Sequence, residues 1–492
     1  MPPVAAGLLP VISVDRAAPE PLHRQVYAGF RDAILRGDLE AGQQVPSSRT
    51  LATELEISRF PVLDAYAQLL AEGYFESRVG AGTFVSTALP NQRTQSPPSA
   101  EFRDTARLTS RRSSLYPPYE PNPWRHGWGS FGVHQPALDE FPFEIWSKLV
   151  VRHSRVLHVH NGPGVHPLGH PLGLDTFRDA VCSYLRTSRA VRCDPGQIMI
   201  VSGSQQALDI TTRVLLDPGD AVWLEEPCYP LARAVLLGSG CTAIPVPVDQ
   251  EGLDVAAGMR LAPNARAAFV TPSHHYALGV TMSAARRFQL LEWARDASAW
   301  IVEDDYDSEY RYESMPIPSL QGLDPSARVI YIGTFSKVLR PSLRLGYIVI
   351  PPDLVDRFIA VRFAMDIFPS YLFQEVLTDF MRAGHFVRHI RRMRALYKAR
   401  RTALVESLQA EFGDFFRIQG TEAGMHLTVT LPTGFDDVEI ATRAAKEKLT
   451  LWPLSPCYTA GPARHGFILG FANTPEDQMR AAVRRMRQIV AG

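Results

Sequence analysis

From about residue 126 onward, short apolar runs alternate with longer stretches of helical periodicity, and this alternation limits the possible folds most sharply. QIMIVSG, DAVWLEEP, AAFVTPS, AWIVEDDYD, RVIYIGTFSK and GYIVIPP each have the length and content of one buried strand. Strand, helix, strand alternation at this spacing predicts a largely parallel α/β sheet, because parallel neighbours need a long crossover between them. A long basic helix follows (VRHIRRMRALYKARRTALVESL), then the strands HLTVTL and GFILGFA. These predict a large domain over about 150–370 and a small α+β domain over about 371–490, together one module spanning 126–490.

The chain has 492 residues, too many for a single ordinary core, and its first part follows a different pattern. Over 19–88 the periodicity is helical. One helix runs from Leu22 to about Arg36 and stops at Gly37, with Val26, Phe30 and Ile34 on one face. A second opens at PSSR (46–49), and a third follows Ser58 with Val62, Tyr66 and Leu69 inward. YFESRVGAGTFVS then predicts two short strands joined across Gly80 and Gly82. Three helices and a hairpin make a winged helix-turn-helix, whose second helix-turn-helix helix enters the DNA major groove. Residues 89–125 are rich in Pro, Ser and Arg and read as a linker.

Arg49, Arg59 and Arg78 fall where a duplex would be met, at two helix starts and before the wing. A guanidinium fork can hold a phosphate or the acceptor edge of guanine. Ser58 caps the third helix, whose free N–H groups suit a phosphate. Gly80-Ala81-Gly82 is a wing tip bare enough to lie against the DNA backbone. Charge does not carry this reading: residues 1–88 hold 7 Lys and Arg against 10 Asp and Glu. The ordered pattern does. ILRGDLEAGQQVPSSRTLATELEISR followed by AYAQLLAEGYFESRVGAGTFV resembles the GntR-family DNA-binding domain along nearly its whole length. Phe60-Pro61 departs from it, standing where that family usually has small polar residues; this implies fewer or more apolar base contacts.

The large module raises the question of Lys337, in TFSKVLRPSLRLGY. A lysine that forms a Schiff base must be partly deprotonated, which requires desolvation or a neighbouring cation. Lys337 follows the apolar run RVIYIGTFS, so it is expected at the carboxyl edge of a strand, where open α/β sheets bind ligands. Thr334, Ser336 and Arg344 could hold an anion nearby. IVSGSQQALDI (200–210) predicts a strand, a hydroxyl-rich turn and a helix whose first N–H groups, with Ser202 and Ser204, form a phosphate cradle. In AWIVEDDYD, Asp304 and Tyr306 end another strand. A carboxylate facing a pyridine nitrogen keeps that nitrogen protonated. Tyr229, in EEPCYPLAR, offers a flat stacking surface.

These motifs together resemble a fold-type I, class I/II aminotransferase domain built around pyridoxal 5′-phosphate. Joined to a GntR-type winged helix, the chain resembles the MocR-type subgroup of GntR regulators. The resemblance implies Lys337 as the Schiff-base residue, Asp304 at the pyridine nitrogen, Tyr306 and Tyr276 at the ring, and Tyr229 stacked on it. Gly203, Ser204, Gln205, Ser336 and Arg344 would hold the phosphate. It further implies a homodimer that binds operator DNA, with Arg49, Ser58, Arg59, Arg78 and Gly80 at the duplex, and an amino-compound effector sensed through an imine with the cofactor.

Three departures bear on catalysis. Tyr276-Ala277-Leu278-Gly279 replaces the Asn-Pro-x-Gly turn, and Gly164 takes a tyrosine's place in GPGVHPLGHPLG. GFILGFAN lacks the arginine that clamps a substrate carboxylate in many aminotransferases, with only Arg464 near. Transaminase activity is therefore expected to be weak at most; a metabolic aminotransferase with an accessory N-terminal domain is the alternative. His158, His160, His166 and His170 read as loop histidines, and no metal is expected. The stripe Arg388, Arg391, Arg392, Arg394, Lys398 reads as a solvated helix face. Scattered cysteines, no apolar run of membrane length and no leader pattern suggest a cytoplasmic protein.

Overall fold

The first helix, α1 (Leu22–Arg36), ends because Gly37 turns left-handed at φ 80° and its N–H caps the carbonyls of Ala33 and Ile34. The second, α2 (Ser48–Glu54), starts where the Ser47 hydroxyl accepts the Thr50 N–H, and α3 (Arg59–Ala71) starts after Ser58. Two antiparallel strands follow, β1 (Phe75–Arg78) and β2 (Gly82–Val85), paired from Phe75↔Val85 to Arg78↔Gly82. The structure is a computed structural model and describes residues 12–88, 109–116, 119, 122–126, 129–156, 169–313 and 317–491. It divides into two units, Met1–Leu108 and Thr109–Gly492.

The N-terminal unit is held by the faces that the periodicity selects. Val26, Phe30 and Ala33 of α1 meet Leu51 and Ala52 of α2 and Val62, Ala65, Tyr66 and Leu69 of α3. Phe30, Tyr66 and Phe75 pack edge to face around one another at 5.2–5.5 Å. The Tyr66 hydroxyl donates to the Pro46 carbonyl at 2.8 Å, so the phenol's polar end is satisfied inside the core. This is the three-helix, two-strand winged arrangement.

The second unit carries twelve strands in two sheets among its described residues. In chain order they are β3 (Ile198–Val201), β4 (Ala221–Glu226), β5 (Thr242–Asp249), β6 (Gly252–Leu253), β7 (Ala267–Val270), β8 (Trp300–Asp305), β9 (Val329–Thr334) and β10 (Gly346–Val349). Then come β11 (Arg417–Gln419), β12 (His426–Thr430), β13 (Trp452–Pro453) and β14 (Gly466–Gly470). The large sheet has the order β3-β10-β9-β8-β7-β4-β5-β6. Strands β5, β4, β7, β8 and β9 are parallel. β10 runs the other way, between β3 and β9. Only residues 335–345 separate it from β9, too few for a parallel crossover, so the chain turns back. The small antiparallel sheet β11-β12-β14-β13 packs against the helices His385–Phe412 and Glu476–Ala491 through Met393, Tyr397, Leu404, Met479, Val483 and Met486. No helix among the described residues is long and apolar enough to cross a membrane.

Candidate functional site

Alternation along β8 decides which of its three acids is available. Glu303 turns to one side, where its carboxylate accepts the N–H groups of Leu320 and Gln321 at 3.0 Å. Asp305 points the same way and is tied by the Arg189 guanidinium at 2.8 Å and the Tyr331 hydroxyl at 2.6 Å. Asp304, between them, faces the opposite side, as strand period two requires. Its Oδ1 is buried with no hydrogen-bond partner among the described residues. Burial, then the neighbouring Asp305 charge, pushes the Asp304 carboxyl up to about 7, while Lys337 and Ser204 pull it down.

Asp304 opens onto a cavity of about 300 Å³ at the carboxyl ends of β3, β7, β8 and β9. Lys337, Ser336, Tyr306, Tyr229, Tyr276, Ser204, Gln205 and Arg344 line the same space. Gly203 stands at its rim: a Cβ there would lie 3.3 Å from the Arg344 guanidinium. The structure thus gathers all ten expected positions around one chamber, from segments 203–205, 229, 276, 304–306 and 336–344.

Desolvation is the main reason the Lys337 amine falls to about 8; Asp307 and Asp304 oppose this, and Arg344 adds to it. Arg344 itself is exposed and in the left-handed region at φ 49°, and it forms no ion pair among the described residues. It faces the first turn of the helix Ser204–Leu215, whose N-cap is Gly203 at φ 101°. The Arg344 guanidinium, the helix N-terminus and the Ser336 hydroxyl, buried without a hydrogen-bond partner among the described residues, make a site for a dianion. The Tyr306 hydroxyl donates to the His274 carbonyl at 2.9 Å. His274 in turn sits 3.2 Å from Asp307, whose carboxylate also accepts the Met425 N–H. The tyrosine is therefore fixed from behind.

Three lining residues escaped the sequence reading: His134, Leu231 and Thr271. Thr271 donates from its N–H and hydroxyl to Glu225, whose carboxyl burial raises to about 7. His134 stacks on Tyr276 with centroids 5.3 Å apart and planes at 27°. Burial, then Lys337, keeps its imidazole neutral by lowering its pKa well below the usual value. It arrives on a segment with left-handed Phe131 (φ 70°) and His134 (φ 64°), a backbone path that no local motif announces. Arg464 does not line the cavity; it donates to the Tyr458 hydroxyl. Within the basic stripe, Arg394 donates to the Glu309 carbonyl and Lys398 to Glu313. His158, His160 and His166 lie outside the described residues, whereas the His170 N–H is bonded to the Tyr371 hydroxyl.

On the N-terminal unit, Arg49, Ser58, Arg59, Arg78 and Gly80 are all exposed. Arg59 donates to the Ser48 hydroxyl at 3.1 Å, linking the starts of α3 and α2. Arg78 is forked onto Glu76 at 2.6 and 3.1 Å and lies over Phe84, so it braces the wing's base. The Ser58 side chain makes no cap bond to α3. Gly80 at φ 76° has open space around it, and Gln44 steadies the tip by donating to the Ala81 carbonyl.

The residues of the large chamber fit pyridoxal 5′-phosphate: a carboxylate with one buried oxygen unpartnered among the described residues for the ring nitrogen, a depressed amine for the aldehyde, and an anion cradle for the phosphate. Comparison with known proteins agrees. Residues 139–486 match the family described as "Aminotransferase class I and II", and residues 22–85 match "Bacterial regulatory proteins, gntR family". The chain is 40% identical over 481 residues to the "Probable rhizopine catabolism regulatory protein MocR" of Rhizobium meliloti, covering 97% of this chain and 95% of that one. It is 29% identical over 478 residues to the "HTH-type pyridoxine biosynthesis transcriptional regulator PdxR" of Corynebacterium glutamicum, covering 95% and 96%. A solved kynurenine aminotransferase of Pyrococcus horikoshii, in complex with PMP, matches 79% of this chain and 98% of its own at 28% identity and TM-score 0.71. A winged, DNA-binding unit and a pyridoxal 5′-phosphate-binding unit are thus joined in one polypeptide. The chain belongs to the aminotransferase class I and II family and, by its gntR-type N-terminal domain and full-length likeness, to the MocR-type subgroup of GntR transcriptional regulators.

Proposed function

We propose that this regulator changes its grip on operator DNA when an amino compound reacts in the chamber above Lys337. The observation that carries the reading is the placement of a depressed lysine amine beside Asp304, Tyr306 and Arg344 in one cavity. When bound, the cofactor supplies an aldehyde carbon that condenses with primary amines and a ring that withdraws electrons. Lys337 would be the residue that holds its aldehyde carbon. Asp304 would hold a proton at the ring nitrogen, and Tyr306, with Tyr276, would serve the ring's polar edge. Tyr229 would offer a flat surface to the ring, and Gly203, Ser204, Gln205, Ser336 and Arg344 would hold the phosphate.

The walls beyond that cradle are His134, Tyr276, Tyr229 and Leu231, neutral groups with a few hydrogen-bonding atoms. They suit an amine with a neutral body better than an amino acid. The R. meliloti relative is named for rhizopine catabolism, which makes a rhizopine the first ligand to test. Transamination of ordinary amino acids is slow at most in this reading. At the DNA, Arg49, Ser58, Arg59, Arg78 and Gly80 contact the duplex. The protein acts as a cytoplasmic homodimer, which would present two winged helices to two half-sites.

Ligand control requires that free and ligand-bound states bind DNA with different free energies. The decisive experiment measures operator affinity of the cofactor-loaded protein with and without a panel of primary amines, in parallel with Lys337→Ala. An amine that shifts affinity in the wild type and not in the variant supports the reading. Unchanged affinity across the panel, or rapid turnover with common amino donors and keto acids, refutes it.

A further inference from the structure

One face of α3 is built for something outside the N-terminal core. Val62, Ala65, Tyr66 and Leu69 turn inward and are buried. Phe60, Leu63, Asp64 and Ala67, spaced three and four apart on the opposite side, are all exposed. Phe60 shows 71% of its surface and Leu63 shows 41%. The Phe60 ring belongs to no apolar cluster and stacks on no other ring among the described residues. It occupies the first turn of the helix that a winged helix-turn-helix lays into the major groove, where residues near the helix start reach base edges. Arg59 beside it is tied back to Ser48, and Pro61 after it has no N–H to offer. Exposed arginines stand at 49, 59 and 78 of the same unit, with Arg78 paired to Glu76 and Arg59 to Ser48.

The major groove presents one apolar feature, the C5-methyl of thymine. We propose that Phe60 reads this methyl, making the chain's operator preference at that step a hydrophobic contact with thymine in place of a hydrogen-bonded one. The proposal rests on DNA binding by the gntR-type domain and adds which base α3 selects and by what force. Asp64, one turn on, offers carboxyl oxygens, which match the amino donors of cytosine or adenine and not the thymine methyl.

The test uses the full-length, cofactor-loaded protein and operators recovered from a randomised duplex pool. Each thymine of the recovered site is then replaced singly by uracil, which removes the methyl and keeps every hydrogen-bonding group. At the step read by Phe60 the wild type is expected to bind the uracil duplex about 3- to 5-fold more weakly, the effect of one methyl-sized group left in water. Phe60→Ala is expected to bind both duplexes equally, with melting temperature and cofactor absorbance unchanged. Arg59→Ala, in contrast, should weaken both duplexes by one common factor and keep the uracil discrimination. A recovered site with no selected thymine, a wild type indifferent to uracil, or a Phe60→Ala protein that retains the discrimination would each overturn the proposal. Loss of all duplex binding in the wild type would instead strike at DNA recognition by the domain itself.

Discussion

Gly203 faces Arg344 across the mouth of the cofactor chamber, so closely that a Cβ on the glycine would stand 3.3 Å from the guanidinium carbon's nitrogen. The same glycine holds φ at 101°, a backbone conformation that costs other residues about 1–3 kcal/mol. Gly203→Ala is therefore expected to weaken pyridoxal 5′-phosphate binding by ~10-fold or more, the equivalent of about 1.4 kcal/mol. Titration of the cofactor-stripped protein, followed by visible absorbance, checks it. DNA affinity of the stripped protein should be unchanged.

Lys337 sets a pH dependence for cofactor attachment. Its pKa lies near 8, below the ordinary 10.5, so the reactive uncharged amine gains population as pH rises through 8. The attachment rate should climb across that range and level off above it. Borohydride reduction should leave cofactor mass on the peptide containing Lys337, and none in Lys337→Ala. A flat rate from pH 6 to pH 9, with the mass adduct present, would remove desolvation as the activating cause.

Asp304 imposes the opposite slope on stability. Its folded pKa is raised to about 7 from 3.8, so between those values the folded chain keeps a proton that the unfolded chain has released. Stability of the cofactor-stripped protein should fall as pH rises from about 4 to 7. Asp304→Asn should flatten that fall in denaturant melts. Glu225, Glu303 and Glu309, also raised to about 7, leave a residual slope of the same sign.

Phe30 is the centre of the winged unit's aromatic cluster and is fully buried. Phe30→Ala is expected to cost about 3–5 kcal/mol there, the usual range for a buried phenyl. Limited proteolysis should then cut within residues 22–85 and DNA binding should be lost, while the cofactor absorbance of the second unit persists.

Arg59 tests the electrostatic side of DNA recognition. Arg59→Ala should lower operator affinity and reduce the slope of log affinity against log salt by about 1 if the guanidinium neutralises one phosphate. An unchanged slope would place Arg59 in bracing α2 through Ser48.

Much of this molecule could be read along the chain. Lys337, Asp304 and the Gly203-Ser204 turn each follow an apolar run whose length and content mark a strand, and strand ends carry sites in such sheets. The helices of the winged unit were legible because Val26 and Phe30 in the first and Val62, Tyr66 and Leu69 in the third repeat at helical spacing, and Gly37 stops the first of them. The direction of β10 was not legible, since a run such as GYIVIPP looks the same in either orientation; the short 335–345 connection settles it. His134 was equally hidden. Its segment has no periodicity, and only the left-handed turns at Phe131 and His134 carry it over Tyr276.

Order along the chain carries the two modules and the strands and helices within them, because periodicity and residue type are local properties, whereas the groups able to hold pyridoxal 5′-phosphate were legible through motifs that resemble those of aminotransferases. Packing in three dimensions sets which acid of Glu303-Asp304-Asp305 faces the chamber, which histidine joins its lining, and how far the Lys337 amine is desolvated. Those outcomes depend on what the rest of the chain packs around each group, and solvation is a property of the surroundings that no stretch of sequence carries alone.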